Sequence, residues 1–407
     1  MEGKVLIESL QLKNFLSYGP QSKAISLLPL NVLIGPNGSG KSNLIEILNL
    51  LRTFPTDIST FFRQGMGFNQ WLWKGENSTH NGLKFPLFEL SVETRMSKSG
   101  DEICSHKCTI LPGHFTLVLE TIEIQTDAGK LPVYVIEGKQ TFLYRTIRDA
   151  SGTNSRQQII IGDEGEGEEF DHEQSVLSQI KDRKQYPEIT QLGQSYSAIR
   201  IFRNWNLGRN TPPRQLQPAD LANDFLAEDA SNLALIINDL QNKPGVKRQI
   251  IKHLQQFNPQ FEDITTLVYG NTVQLFLHEK GLKETIPATR LSDGTLQFLC
   301  LLAILCHPEP PPLVCIEEPE LGLHPDVMPI LAELLLEASQ RMQLIVSTHS
   351  DALVSALSST PEAILVCERD ENGTQLKRLE AKPLAAWLEK YSLGDLWRMG
   401  EIGGVRW

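Results

Sequence analysis

The apolar positions of this chain change period where chemistry is expected. Ala24 to Ile34 is a largely apolar, strand-like stretch, and the polar, glycine-rich turn GPNGSG follows it. Leu44, Ile47, Leu48 and Leu51 then recur at helical spacing up to Phe54, with Pro55 past the expected helix end. Upstream, Val5 to Phe15 alternates in part and is separated from Ala24 by SYGPQSK, so the two runs predict a hairpin leading into the turn.

Downstream the period shortens. From Phe85 to Tyr144, the runs PLFELSVET, HFTLVLETIEIQT, LPVYVIEG and QTFLYRTI are punctuated by Gly, Pro and Asp and predict an antiparallel β-rich insertion. Gln174 to Leu192 reads as helix, Ser197 to Phe202 as a buried strand, and 204–223 as an irregular surface loop. Asp220 to Phe261 has helical period in two pieces broken at Pro244-Gly245, a small helical lobe, and ITTLVYGNTVQLFLHE predicts a hairpin about Gly270-Asn271. The strongly apolar helix Leu296 to Cys306 follows, then strands at Leu313 to Glu320 and Met342 to Ser350. No internal repeat or heptad array is present, so no long coiled-coil arm is encoded.

Composition narrows the class. With 41% hydrophobic and 21% charged residues in 407, the chain has the makeup of a globular protein. Its longest purely apolar run, Phe298 to Cys306, is far short of the ~20 residues that span a bilayer, and the N-terminus lacks a signal-peptide pattern; a cytoplasmic home without membrane contact is expected. A net charge of −11 argues against a surface built for indiscriminate nucleic-acid binding, while leaving room for a local basic groove.

Four features carry two readings each. The cysteines read as small buried thiols, although Cys104, Cys108, His106 and His114 also suggest zinc. The acidic run from Asp163 to Glu173 reads as a solvated loop before an acidic metal site. Trp71 and Trp73 read as core before a base-stacking platform. Lys243, Lys247, Arg248 and Lys252 read as a solvated helix face before a nucleic-acid or partner contact.

The chemistry lies at the ends of the apolar strands. Gly35, Gly40, Lys41 and Ser42 fit G-x-x-x-x-G-K-[ST], with Pro36, Asn37, Gly38 and Ser39 between and Asn43 after. Gly38 and Gly40 let backbone N–H groups converge on one phosphate at a helix N-terminus, Lys41 would reach the β- and γ-phosphates of ATP, and Ser42 would ligate Mg²⁺. LVCIEEPE ends in paired carboxylates, which are costly at a buried strand end unless they hold a cation or a proton. Glu317 is expected in the metal shell and Glu318 beside the attacking water. MQLIVSTHS places His349 to hydrogen-bond the γ-phosphate. Three such strand ends belong on one carboxyl edge of a parallel sheet.

The order of phosphate loop, LSDGT at 291–295, Glu-Glu-Pro strand and Ser-Thr-His resembles the ABC-type ATPase heads of the SMC/RecF/OLD branch. LQLKNFLSYG, IGPNGSGKSNLIE and EEPELGLHP carry the likeness, with YSLGDLWRMGEIGGVRW, GFNQWLWKG and FLAEDASNLALIINDL similar to a group of bacterial ATPases. Two departures stand out: Glu317 replaces the usual Asp, and LSDGT replaces Leu-Ser-Gly-Gly-Gln.

The resemblance implies an α/β P-loop NTPase, an ABC-type head with a parallel-sheet core, an antiparallel β insertion and a small helical lobe. It would form one discontinuous head over 1–407: a phosphate-loop half (1–54), a β-rich insertion with acidic loop (55–202), a helical lobe (203–265), a signature, Walker B and histidine half (266–380) and a tail (381–407). It also implies a homodimer in which Ser292 and the Gly294 backbone of one copy close on ATP held by the other. No glutamine-loop residue is identifiable beside the insertion. A separate effector such as a nuclease is expected, because the chain runs only about 60 residues past His349, with anti-phage defence or genome maintenance as the setting. The alternative is a RecF-type clamp that binds DNA itself; a transport ATPase subunit is disfavoured by the insertion and EEPELGLHP.

Overall fold

In the computed structural model, residues 3–64, 67–75, 87–96, 102–111, 116–126, 129–137, 140–148, 154–161, 170–203 and 205–404 are described. Seven strands frame the site: β1 (Ile7–Lys13), β2 (Leu30–Ile34), β3 (Arg200–Phe202), β4 (Leu313–Glu317), β5 (Gln343–Ser347), β6 (Ile364–Asp370) and β7 (Gly373–Arg378). The central sheet runs β3-β4-β5-β2-β6-β7, parallel throughout except for β7, which returns as a hairpin on β6.

Both faces of this sheet are covered, as a parallel sheet requires. Leu30, Val32 and Ile34 of β2 join one core with the helices α3 (Asp293–Leu305) and α4 (Met328–Ser339). Leu33 points into the other core with α1 (Lys41–Thr53). Each fully buried Leu or Ile contributes about 1.5–3 kcal/mol, so the two cores lock the register that aligns the strand ends. α3 is buried along its whole length from Thr295 to Leu305, which explains why its sequence is apolar all round. Against it packs α2 (Pro244–Phe257), with Phe257 and Phe298 stacked at 4.4 Å.

The β-rich insertion forms an eight-stranded antiparallel sheet. It begins with Ile25–Ser26 and β1 and continues through Phe88–Met96, Glu102–Leu111, Thr116–Thr126, Gly129–Glu137, Gln140–Arg148 and Asn154–Ile161. A third sheet carries the hairpin Phe261–Tyr269 and Thr272–Glu279, which turns at Gly270 (φ 54°) and Asn271 as the sequence predicts.

Three expectations need correction. Ala24 to Ile34 is two strands in different sheets, because Pro29 lacks an N–H and Asn31 turns its amide onto Leu28, accepting from Leu28 N at 2.9 Å and donating to Leu28 O at 2.6 Å. Gln174 to Leu192 splits into Val176–Gln179 and Pro187–Ser197. Asp182 captures the backbone N–H groups of Lys184 and Gln185 between them, and Pro187 opens the second helix. Helix in the 220–261 region starts only at Leu233, because Asn232 holds the preceding turn through Ala227 N, Ala222 O and Phe225 O; the expected division into two helices stands, with Pro244 opening the second.

Of the four ambiguous features, three follow the plainer reading where they are described. Cys104 and Cys108 are buried, and burial pushes the Cys104 thiol up to about 12. His106 is spent on Glu120 (3.2 Å) and Tyr196 (3.3 Å), while His114 lies outside the described residues. Trp71 packs on Phe61 at 4.4 Å and Trp73 is buried. Lys243, Lys247 and Lys252 pair with Asp239, Asp263 and Glu333. The acidic run from 163 to 169 lies outside the described residues.

Candidate functional site

The strand register lines up the chemistry. Glu317 pairs with Ser347, Ser347 with Leu33, and Leu33 with Leu365, so the ends of β4, β5 and β2 lie side by side. The phosphate loop, the two glutamates and His349 therefore leave the sheet at one carboxyl edge.

The loop has the backbone its glycines permit. Gly35, Gly38 and Gly40 have φ of 144°, 79° and 107°, and a Cβ on Gly40 would lie 2.2 Å from Thr374 Oγ1. Gly40 caps α1 without a side-chain hydrogen bond, which leaves the first-turn N–H groups pointing outward as an anion site. Lys41 is buried, and its Nζ donates to Gly35 O at 2.7 Å and Pro36 O at 3.1 Å. Burial lowers its pKa, opposed by the nearby charges. Pro36, Asn37, Gly38 and Ser39 line an open cavity of about 620 Å³ together with Glu368, Arg369, Asp370 and Gln375. Asn43 is turned away from this cavity onto Ser17 Oγ at 2.7 Å.

Ser42 Oγ donates to Glu317 Oε2 at 3.3 Å. Adjacent oxygens on an octahedral Mg²⁺ with ~2.1 Å bonds lie about 3 Å apart, so this hard oxygen pair fits that ion. Desolvation raises the Glu317 pKa, and Arg203 and Ser42 pull it back. Glu318 sits in left-handed backbone (φ 47°) with its N–H on Ser347 O at 2.9 Å. Such a non-glycine conformation costs on the order of 1–3 kcal/mol and turns the side chain out of the strand line. Its Oε1 lies 3.8 Å from His349 Nε2. Desolvation and Lys41 lower the His349 pKa, which keeps the ring neutral at neutral pH.

Glu320 organises this edge from behind: its Oε1 accepts from Thr348 Oγ1 at 2.7 Å and from His349 N at 2.8 Å, while its buried Oε2 has no partner among the described residues. Ser292 caps α3 by accepting from Thr295 N at 3.1 Å, and a Cβ on Gly294 would lie 2.5 Å from Gly322 O. Ser292 itself is exposed, and no hydrogen bond among the described residues joins it to the phosphate loop.

Three residues at the site were not singled out in the sequence. Arg203 follows β3 and reaches both Glu46 (2.6 Å) and Glu317 (2.9 Å). Arg214, expected in a surface loop, is buried and donates to Leu207 O, Ala288 O, Leu291 O and Asp293, thereby holding the LSDGT turn from beneath. Thr374 donates to Ser39 O (2.7 Å) and accepts from Ser17 Oγ (2.6 Å), bracing the phosphate loop. The one sequence signal for Arg203 was its place directly after a buried strand.

Residues 30–355 match the family described as "AAA domain, putative AbiEii toxin, Type IV TA system". The chain belongs to this AAA_21 family. It is an ATPase of the AAA class. A Helicobacter pylori protein named ATP/GTP phosphatase is 21% identical over 86% of this AAA_21 chain and 87% of its own length. The Old nuclease of Escherichia phage P2 is 22% identical over 91% of the chain, which spans only 60% of that relative. In fold, the chain is similar to an Smc head solved with the C-terminal winged-helix domain of ScpA, at TM-score 0.57 and 15% identity over 93% of this chain and 99% of that one. A Pyrococcus furiosus Smc head with an extended coiled coil gives 0.55 and 12% over 95% and 99%. The ABC-type head architecture expected from the motif order is thus the observed one. Among the described residues no helix is long and apolar enough to cross a membrane.

Proposed function

We propose that the chain is a cytoplasmic, Mg²⁺-dependent ATPase head, one discontinuous unit, whose ATP-gated homodimer controls a separate effector such as a nuclease in bacterial anti-phage defence or genome maintenance. One observation carries this reading: Lys41, Ser42, Glu317, Glu318 and His349 gather on one sheet edge, whereas exposed Ser292 bonds only within its own helix start. A signature serine turned outward is complete only when a second copy brings phosphate to it.

In the reaction, backbone N–H groups between 37 and 42 and Lys41 hold the β- and γ-phosphates, and the Lys41 ammonium leaves the Gly35 and Pro36 carbonyls for phosphate oxygens. Mg²⁺, held by Ser42 and Glu317, would neutralise the charge that grows on the phosphates. Glu318 accepts a hydrogen bond from the attacking water and orients it in line with the γ-phosphorus. Neutral His349 donates from its ring to a γ-phosphate oxygen, and Glu320 holds the backbone that aims it. Loss of the γ-phosphate removes the partner's Ser292 contact and releases the dimer.

The Old nuclease relative supports a nuclease-linked role. Pairing of Lys243, Lys247 and Lys252 with acids weighs against the DNA-clamp alternative. Size-exclusion chromatography with light scattering tests the reading. Glu318→Gln should dimerise with ATP and Mg²⁺, and adding Ser292→Arg should return it to monomer. A Glu318→Gln protein that stays monomeric at saturating ATP overturns the dimer. ATPase stimulation by duplex DNA with steep salt dependence would favour the clamp.

A further inference from the structure

A second cluster of ligating side chains lies outside the nucleotide site, where α2 meets α4. His253 of α2 and Glu333 and Glu337 of α4 bring one ligand atom each to within 4.8 Å of one another. The two glutamates stand one helical turn apart, so both face the same neighbour.

His253 is the informative member. It is fully buried, and neither ring nitrogen has a hydrogen-bond partner among the described residues. Its Nε2 lies 3.6 Å from Glu337 Oε2, too far for a hydrogen bond. A neutral imidazole carries one N–H and one lone pair, and leaving a buried polar group unpaired costs about 1–3 kcal/mol. Leu or Met would fill the same space without that penalty.

The carboxylates are meanwhile held from outside. Gln249 Nε2 donates to Glu337 Oε2 at 2.7 Å, and Lys252 Nζ donates to Glu333 Oε1 at 2.8 Å. Such contacts orient ligating carboxylates.

We infer that His253, Glu333 and Glu337 form a binding site for a divalent transition-metal cation of the zinc class, separate from the nucleotide's Mg²⁺. One imidazole nitrogen and two carboxylate oxygens suit Zn²⁺, with water completing a tetrahedron, whereas Mg²⁺ takes oxygen ligands. Zinc bonds of ~2.0–2.2 Å place neighbouring ligand atoms about 3.4 Å apart. The cluster therefore contracts by about 1 Å on binding, a movement two half-exposed glutamate side chains supply by rotamer change. The bound cation would pin α2 to α4, the helix that joins the Glu317 strand to the strand ahead of His349.

The test uses the full-length, nucleotide-free chain, stripped with chelator and kept in excess Mg²⁺ so that the Ser42 and Glu317 oxygens do not compete. Zn²⁺ is titrated by calorimetry and Co²⁺ by visible absorption. Wild type should bind a single Zn²⁺ and give intense tetrahedral Co²⁺ bands. His253→Gln and Glu337→Gln should each weaken Zn²⁺ binding more than about tenfold and lose those bands. Because His253 is buried, Glu333→Gln on the half-exposed face carries the same expectation with unchanged circular dichroism. Absence of Zn²⁺ binding in wild type overturns the inference. So does equal affinity in wild type and all three variants, which would place the zinc elsewhere.

Discussion

Arg203 Nε lies 2.9 Å from Glu317 Oε1, so the carboxylate expected to hold Mg²⁺ already faces a cation supplied by the neighbouring strand. Arg203 also reaches Glu46 at 2.6 Å, and its buried Nη2 has no hydrogen-bond partner among the described residues. The guanidinium counters the desolvation that raises the Glu317 pKa and so favours the ionised form that a metal needs.

Arg203→Ala should lower stability by about 1 kcal/mol, a modest figure because the pair is partly solvated. Urea unfolding of Arg203→Ala, Glu317→Gln and the double variant measures it. The two losses should fail to add, since each removes the same ion pair. Strict additivity would separate Arg203 from Glu317.

Lys41→Ala should abolish ATP binding by calorimetry while leaving the fold intact, because Lys41 bonds only carbonyls of its own loop. ATP binding of wild-type strength in that variant would overturn the phosphate-loop assignment.

Glu318→Gln should bind ATP yet lose turnover by about a hundredfold or more, measured as phosphate release, because an amide cannot take up the water's proton. Retained turnover would move the water-positioning role away from Glu318.

Acid should destabilise the protein partly through His349. Its folded pKa lies below the ordinary value of about 6.5, so between the two the unfolded chain binds more protons than the folded one. Stability therefore rises with pH through that window and is lost as pH falls below about 6.5. Chemical denaturation across this range should show a shallower slope for His349→Gln than for wild type.

Thr374→Val should cost about 1–3 kcal/mol, since it leaves the buried Ser39 carbonyl and Ser17 hydroxyl short of a partner. Thermal unfolding checks the loss, and a weaker ATP affinity should accompany it because Thr374 packs on Gly40.

The sequence by itself determined the ATPase class and the class of fold, and it marked the residues proposed to carry the nucleotide chemistry. Lys41, Ser42, Glu317, Glu318 and His349 each stand at the end of an apolar run, and a buried strand that ends in polar residues is a local pattern. The hairpin at Gly270-Asn271 and the all-apolar helix α3 were legible for the same reason. Only the tertiary structure decided which distant groups support them. Thr374 meets Ser17 across 357 positions and Ser39 across 335, and no periodicity encodes that pairing. Arg214 looked like loop polarity because its burial depends on carbonyls from Ala288 and Leu291, far along the chain. The break at Pro29 and the late helix start at Leu233 were settled by side chains, Asn31 and Asn232, that bind nearby backbone in competition with the regular ladder. Local pattern specifies elements and what their ends carry; long-range packing specifies which charges and hydroxyls those ends meet.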